Sequence, residues 1–112
     1  MGVIPNAHAW KFEIHTRAGK CHSKSDVKKY KKHIRWLSKN LTCKDCRNHM
    51  VKYLKSHPCR GKSAEDLLYW SWKFHQSVNR RLGKSGISWS ECKRRYLFPE
   101  RSIKNHHERH GG

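Results

Sequence analysis

The sequence has no apolar run long enough to cross a bilayer and no recognisable leader. A transmembrane helix needs roughly 20 consecutive apolar residues, and no stretch of this 112-residue chain has that character. The amino terminus shows neither the apolar core of a signal peptide nor an Arg- and Ser-rich presequence. We therefore expect a soluble protein with no membrane span and no targeting signal, made in a reducing compartment.

Acidic residues are also scarce. Eight Asp and Glu stand against 26 Lys and Arg, which gives a net charge of +18. Such an excess suits nucleic acid, an anionic membrane surface or an anionic cofactor. The bases are spread over the whole chain rather than gathered into one tail or one helix, so a solubilising basic surface explains them as well.

Alternating apolar and polar positions, which mark half-buried strands, are absent, and helical spacings take their place. A helical pattern covers "AHAWKFEIHTRAGK", and a clearer one runs from about Ser25 to Leu41. A third helix is expected to begin after the N-cap residue Thr42, and a fourth to run from the N-cap Ser63 to Leu82, before Gly83. A short helix starts at Ser88 or Ser90. The sequence therefore predicts an all-α fold, a four-helix bundle with a short additional C-terminal helix. Residues 1–98 are expected to form one domain and residues 99–112 a polar tail.

The chain has five cysteines, an odd number, which excludes a framework of intramolecular disulfides that pairs all of them. Cys43 and Cys46 form a C-x-x-C motif, whose spacing suits a zinc corner, a structural staple or a working dithiol. Together with His57 and Cys59 the motif resembles a zinc site. One alternative function is therefore a zinc-binding, basic nucleic-acid-binding module, and another is a purely structural basic virion or chromatin protein.

The helix that ends at Leu82 carries two apolar stripes. The first stripe, which is core for most of its length, consists of Leu67, Trp70, Phe74, Val78 and Arg81. The adjacent stripe alternates bulky apolar residues with hydrogen-bonding ones. In this second stripe His75 and Asn79 project together beside Trp72, a pattern that suits a planar, nitrogen-rich ligand. On periodicity alone, a buried histidine with a capping asparagine explains the same stripe.

Two motifs together resemble a known family. "FHQSVNRRLGK", residues 74–84, is similar to the F/L-H-N-x-V-N-x-x-L-G-K signature of the Erv/ALR family of FAD-linked sulfhydryl oxidases, and the C-x-x-C motif stands at the family's usual distance upstream. The match runs without a gap from about residue 34 to residue 96. The compact length is most like members encoded by large DNA viruses, and if the protein is viral we expect it in the host cytoplasm or the virion.

The resemblance implies a disulfide-forming enzyme. It implies bound FAD in a helical bundle without a dinucleotide-binding Gly-rich loop, a protein dithiol as substrate, and O2 as acceptor with H2O2 as product. The substrate is expected to be thioredoxin-like or a small viral Cys-containing protein, and the enzyme a homodimer. Zinc, other metals and nucleic acid are not expected as partners.

The resemblance also assigns residues. Cys43 would exchange with the substrate dithiol from the start of its helix, where free N–H groups favour a thiolate, and Cys46 would meet the flavin. The cofactor-binding set that it implies is Trp10, His15, His49, Met50, Trp72, His75, Asn79, Leu82, Lys84, Arg95 and Tyr96.

Three features depart from the family pattern. Relatives carry Trp-x-x-x-His in the first helix, but Trp10 and His15 are five positions apart, which separates them by about 140° on a regular α-helix. We therefore expect a bulge or a shifted start there. A structural cysteine pair of many cellular members is replaced by Asp66 and Trp89. Finally, Cys21, Cys59 and Cys92 match no family cysteine that we identify, and idle or buried thiols are expected there.

Overall fold

A computed structural model describes residues 9–41 and 43–97 of the chain. A π-helix, Ala9–His15, runs directly into a short helix α1, Thr16–Gly19, and four further helices follow: α2 Lys24–Asn40, α3 Lys44–Ser56, α4 Ala64–Leu82 and α5 Trp89–Tyr96. No strand occurs within these two ranges. The all-α prediction is therefore confirmed. None of the described helices is long and apolar enough to span a membrane.

Serine hydroxyls fix where three of the helices begin. The side chains of Ser23, Ser63 and Ser88 accept the backbone N–H three residues further on, at the start of α2, α4 and α5. Each cap satisfies an N–H that the helix itself leaves without a partner. Helix α4 ends at Gly83, which has a left-handed φ of 69° that glycine adopts at little cost. The predicted start at Ser63 and the stop at Gly83 are confirmed, and of the two predicted starts Ser88 and Ser90 the structure has Ser88. Helix α2 begins slightly before the predicted Ser25.

Helix α4 lies at the centre of the molecule. Its core stripe of Leu67, Trp70, Phe74 and Val78 is buried, as predicted. The backbone of α4 lies close to those of α1, α5 and the π-helix, whereas α4 contacts α3 through large side chains. The side chains of α3 and α4 meet in antiparallel order, His49 against Ser77 and Tyr53 against Phe74. The first residues of α3 therefore lie near the last residues of α4.

The π-helix accounts for the unusual spacing in the first segment. A π-helix closes its hydrogen bonds over five residues instead of four, so residues five apart share one side. Accordingly, the rings of Trp10 and His15 stack, with centroids 5.5 Å apart and an interplanar angle of 22°. The expected bulge is confirmed, and it extends over the whole segment Ala9–His15.

Candidate active site

A cavity of about 640 Å³ opens between the π-helix, α4, the segment after α4, and α5. This volume is typical of sites for small molecules and cofactors. Eight of the residues that the sequence assigned to cofactor binding line it: Trp10, His15, His75, Asn79, Leu82, Lys84, Arg95 and Tyr96.

Stacked rings form one wall of this cavity. The indole of Trp10 lies 3.8 Å from the imidazole of His75, centroid to centroid, and the planes differ by 4°. His15 is 3 % exposed and stacks against both Trp10 and His75. The wall is flat and largely apolar, with ring nitrogens at its edge, which suits a heteroaromatic ring.

A chain of hydrogen bonds assigns the protons of the two histidines. The Ser71 hydroxyl donates to the carbonyl of Leu68 at 2.7 Å, so its oxygen accepts from Nδ1–H of His15 at 2.9 Å. Nε2 of His15 then accepts from Nδ1–H of His75 at 3.0 Å. We assign Nε2 of His75 as a hydrogen-bond acceptor on this basis, because only one nitrogen of a neutral imidazole carries a proton.

Burial keeps both rings neutral. Desolvation, with the neighbouring His75 adding to it, lowers the pKa of His15 to about 3. Desolvation alone lowers the pKa of His75 to about 4. An uncharged imidazole in an apolar setting follows from the cost of burying a charge, and it preserves the acceptor at Nε2 of His75 across the neutral pH range.

Cations surround the open side of the cavity. Lys84 and Arg95 are exposed at its edge. Arg95 also pairs with Glu91, with Nε 3.2 Å from Oε1. Hydrogen bonds from Arg94 and Arg95 lower the pKa of Glu91 to about 2. This side of the cavity therefore suits an anionic group such as a diphosphate.

The dithiol occupies the start of α3. Cys43, rather than the predicted Thr42, is the N-cap: its sulfur accepts the backbone N–H of Cys46 at 3.4 Å. Residue 42 itself lies outside the described residues. Hydrogen bonds from the Cys46 thiol and from the backbone N–H groups of Cys46 and Asp45 lower the pKa of Cys43. The resemblance assigned the exchanging thiolate to this cysteine.

Cys46 has a different environment. Burial, followed by the neighbouring Cys43, raises its pKa, although Arg81 opposes the shift. Arg81 thus lies close to Cys46, and Leu82, the next residue of α4, lines the cavity. The dithiol itself does not line the cavity, but both lie at the carboxyl end of α4.

Three predicted cofactor residues lie elsewhere. His49 contacts the Ser77 hydroxyl at 3.2 Å on the opposite side of α4, and Met50 is buried in the core. Trp72 does not line the cavity either, but its Nε1–H donates to the carbonyl of Ile87 at 2.8 Å. This bond positions the segment after α4, which does line the cavity.

Sequence reasoning missed several lining residues. Gln76, Val78, Ser85, Gly86 and Ile87 complete the cavity. A Cβ at Gly86 would come within 2.5 Å of Oε1 of Gln76 and 2.6 Å of Nδ2 of Asn79. The chain after α4 therefore runs against the amide ends of these two side chains, which a Cβ at residue 86 would displace. In the sequence, the two glycines of "GKSG", residues 83–86, were the feature that could have indicated this close contact.

The zinc interpretation gains no support from the geometry. Among residues 9–41 and 43–97, no group of three or more His, Cys, Asp or Glu side chains is placed to share a metal ion. His57 stacks on Tyr53, with centroids 4.4 Å apart. Burial raises the pKa of Cys59 and of Cys92 to about 12, and Cys21 is also buried with a raised pKa. The raised pKa disfavours the thiolate form at these three cysteines.

The fold and the site define a helical-bundle protein in which a dithiol and an aromatic cavity lie at the same end of a central helix. The chain belongs to the Erv1/Alr family, whose profile matches residues 7–97.

Comparison with individual relatives agrees with the family assignment. The chain is 43% identical over 75 residues to the "FAD-linked sulfhydryl oxidase" of African swine fever virus isolate Tick/Malawi/Lil 20-1/1983, covering 64% of this chain and 60% of that protein. It is 42% identical over 66 residues to the protein of the same name from isolate Pig/Kenya/KEN-50/1950, covering 56% of each.

A plant relative is also similar. The chain is 33% identical over 78 residues to the "FAD-linked sulfhydryl oxidase ERV1" of Arabidopsis thaliana, covering 67% of this chain and 40% of that protein. The chain therefore spans about half the length of the relatives that it matches.

Proposed function

We propose that this protein is an FAD-dependent sulfhydryl oxidase that makes disulfides in protein substrates and delivers the electrons to O2. The observation that carries the proposal is the position of the Cys43/Cys46 dithiol and the aromatic cavity at the same end of α4. The names of its relatives in the Erv1/Alr family support the same cofactor and reaction.

The described residues fit the adenine and diphosphate of FAD. Nε2 of His75 is placed to accept from an exocyclic amino group, and the Trp10 indole, stacked on His75, belongs to the same aromatic wall. Asn79 supplies an amide on the same face, and the cations Lys84 and Arg95 suit the diphosphate. Leu82 and Tyr96 would cover the remaining apolar surface. When bound, the flavin accepts two electrons from a dithiol and passes them to O2, which becomes hydrogen peroxide.

The dithiol performs thiol–disulfide exchange. A substrate thiolate attacks Sγ of Cys43 in the Cys43–Cys46 disulfide, which forms a mixed disulfide and releases Cys46 as a thiolate. The second substrate thiolate then attacks the substrate sulfur of that bond and releases Cys43. The substrate loses two electrons and two protons, and the enzyme disulfide becomes a dithiol.

The two cysteines have chemically different roles in these exchange steps. The lowered pKa of Cys43 makes it a good leaving group in the second exchange. Cys46 is more buried and lies beside Arg81, next to the cavity-lining Leu82. We therefore assign to Cys46 the electron transfer to the flavin. Arg81 favours the Cys46 thiolate, because a nearby cation stabilises an anion.

Other expectations stay predictions of the family resemblance. They are the homodimer, the thioredoxin-like or small viral substrate, the location in host cytoplasm or virion, and the roles of His49, Met50 and Trp72. The boundary between a domain of residues 1–98 and a tail of residues 99–112 is also a prediction, since residues 98–112 lie outside the described residues.

Purification and an oxygen electrode test the function. The purified full-length chain should show the visible absorption of an oxidised flavin and should consume O2 when dithiothreitol is added, with formation of H2O2. A colourless protein that releases stoichiometric zinc on denaturation would instead support the zinc-binding alternative and refute the oxidase.

A further inference from the structure

A second pocket, of about 340 Å³, lies between α3 and α4, and its lining includes three cationic side chains, Lys52, Lys73 and Arg80. Five of its lining residues are basic: His49, Lys52, His57, Lys73 and Arg80. None of the described residues that line it is acidic. We call it the basic pocket.

The basic pocket and the cofactor cavity lie on opposite sides of α4. Lys73, Ser77 and Arg80 face the basic pocket, whereas His75 and Asn79 face the cavity. This division follows the helical period, since residues four and seven apart share one face. The cations of the basic pocket therefore do not face the cofactor cavity. A diphosphate bound in the cofactor cavity would not explain why these cations are present.

The cations of the basic pocket also make no ion pair among the described residues. Within the described part of the chain, ion pairs join Arg17 to Glu13, and Arg94 and Arg95 to Glu91. Lys52, Lys73 and Arg80 are exposed and take part in no ion pair among those residues. Like charges gathered around one concave surface repel each other, so an anion that enters the pocket is stabilised.

The basic pocket begins next to the dithiol. His49 is one helical turn beyond Cys46, and Lys52 lies nine residues after Cys43, about 14 Å along the helix axis. Arg81 contributes positive charge at both sites, because it influences the pKa of Cys46 and that of His49. Positive charge therefore extends from the dithiol to the basic pocket.

We propose that the basic pocket is the docking site for an acidic segment of the protein whose dithiol is oxidised at Cys43. This inference rests on the proposed oxidase function. Complementary charge increases the rate of encounter and sets the orientation of the partner. Docked in the pocket, Asp and Glu side chains of the substrate would hold its thiols near Cys43.

Two dithiol peptides test the proposal against the full-length flavoprotein. Both carry the same Cys-x-x-Cys sequence, and they differ only in a short flanking segment of Asp and Glu or of the matched Asn and Gln. We expect a KM lower by about three- to tenfold for the acidic peptide at low salt, from a few exposed charge pairs. The difference should disappear near 1 M salt, where the screening length falls to about 3 Å.

A charge-matched pair of variants locates the effect. The triple variant Lys52→Gln, Lys73→Gln and Arg80→Gln should lose the preference for the acidic peptide while oxidising dithiothreitol at the wild-type rate. The control Lys24→Gln, Lys28→Gln and Lys32→Gln removes the same charge from exposed positions of α2 and should keep the preference. Equal effects of both triple variants, or no preference in the wild type, would overturn the docking site.

Two further outcomes are distinguishable. Failure of the wild type to oxidise dithiothreitol refutes the oxidase and with it the docking proposal, whereas dithiothreitol turnover without a peptide preference refutes the docking site alone. A single-stranded oligonucleotide provides the competing anion. If it binds more tightly than the acidic peptide, and only the pocket variant loses that binding, the pocket is a nucleic-acid site and the proposal is wrong.

Discussion

Acidification should destabilise the fold through His15. This ring is 3 % exposed, and its pKa falls from 6.5 to about 3 on folding. Below pH 6.5 the unfolded chain binds a proton at this position that the folded protein does not, so stability decreases as the pH falls. The stabilising contribution is fully present above pH 6.5 and is lost progressively as the pH falls toward the folded pKa of His15.

The magnitude for His15 is about 2 kcal/mol between pH 7 and pH 5. Over this interval the loss depends almost entirely on the unfolded pKa, because the folded pKa lies far below pH 5. His75 changes the stability in the same direction, since desolvation lowers its pKa to about 4. Its effect is smaller than its pKa suggests, because the ring is partly exposed and solvent screens it.

Urea unfolding at pH 7 and pH 5, followed by far-UV circular dichroism, measures this effect. The variant His15→Asn removes the titrating group and should flatten the pH dependence by about 2 kcal/mol relative to wild type. The control His22→Asn changes an exposed histidine and should leave the dependence unchanged. The reasoning is refuted if His15→Asn retains the full wild-type dependence.

Two further substitutions test the cavity. Ser71→Ala removes the acceptor of Nδ1–H of His15 and should lower the free energy of unfolding by about 1–3 kcal/mol, as for other buried donors left without a partner. Urea unfolding measures the loss, with Ser77→Ala as the control. Equal stability of the two variants would argue against the assigned proton arrangement. Gly86→Ala places a Cβ within 2.6 Å of the amide ends of Gln76 and Asn79. The displaced Asn79 amide should weaken flavin retention during gel filtration, whereas Ser90→Ala, at an exposed position outside the cavity lining, should not. Undiminished retention in Gly86→Ala would argue against a contact between the Asn79 amide and the cofactor.

Local patterns determined much of the fold. The S-x-x-D and S-x-x-E sequences at Ser63 and Ser88 fix helix starts by short-range hydrogen bonds, and these are readable from sequence. The spacing of Trp10 and His15 also predicted an irregular first helix. Such features depend on neighbours in the chain, so sequence alone reveals them.

The features that the sequence did not reveal depend on contacts between residues that are distant in the chain. Ser71 reads as an ordinary polar residue of α4, and its role depends on His15, which is 56 positions away. The stripe of His75 and Asn79 was visible by periodicity, but Gly86 and Ile87 line the cavity only because the chain folds back on α4. The basic pocket likewise combines side chains from α3 and α4 that show no common pattern in the sequence.

The replacement of one cysteine tests the central claim most directly. The wild type and the variants Cys46→Ser and Cys59→Ala should all retain flavin, because neither residue 46 nor residue 59 lines the cavity that fits the adenine and the diphosphate. Mixed with dithiothreitol in the absence of O2, the wild type and Cys59→Ala should lose the visible absorption of oxidised flavin rapidly, whereas Cys46→Ser should keep it. Flavin reduction in Cys46→Ser at the wild-type rate would contradict electron transfer through this dithiol.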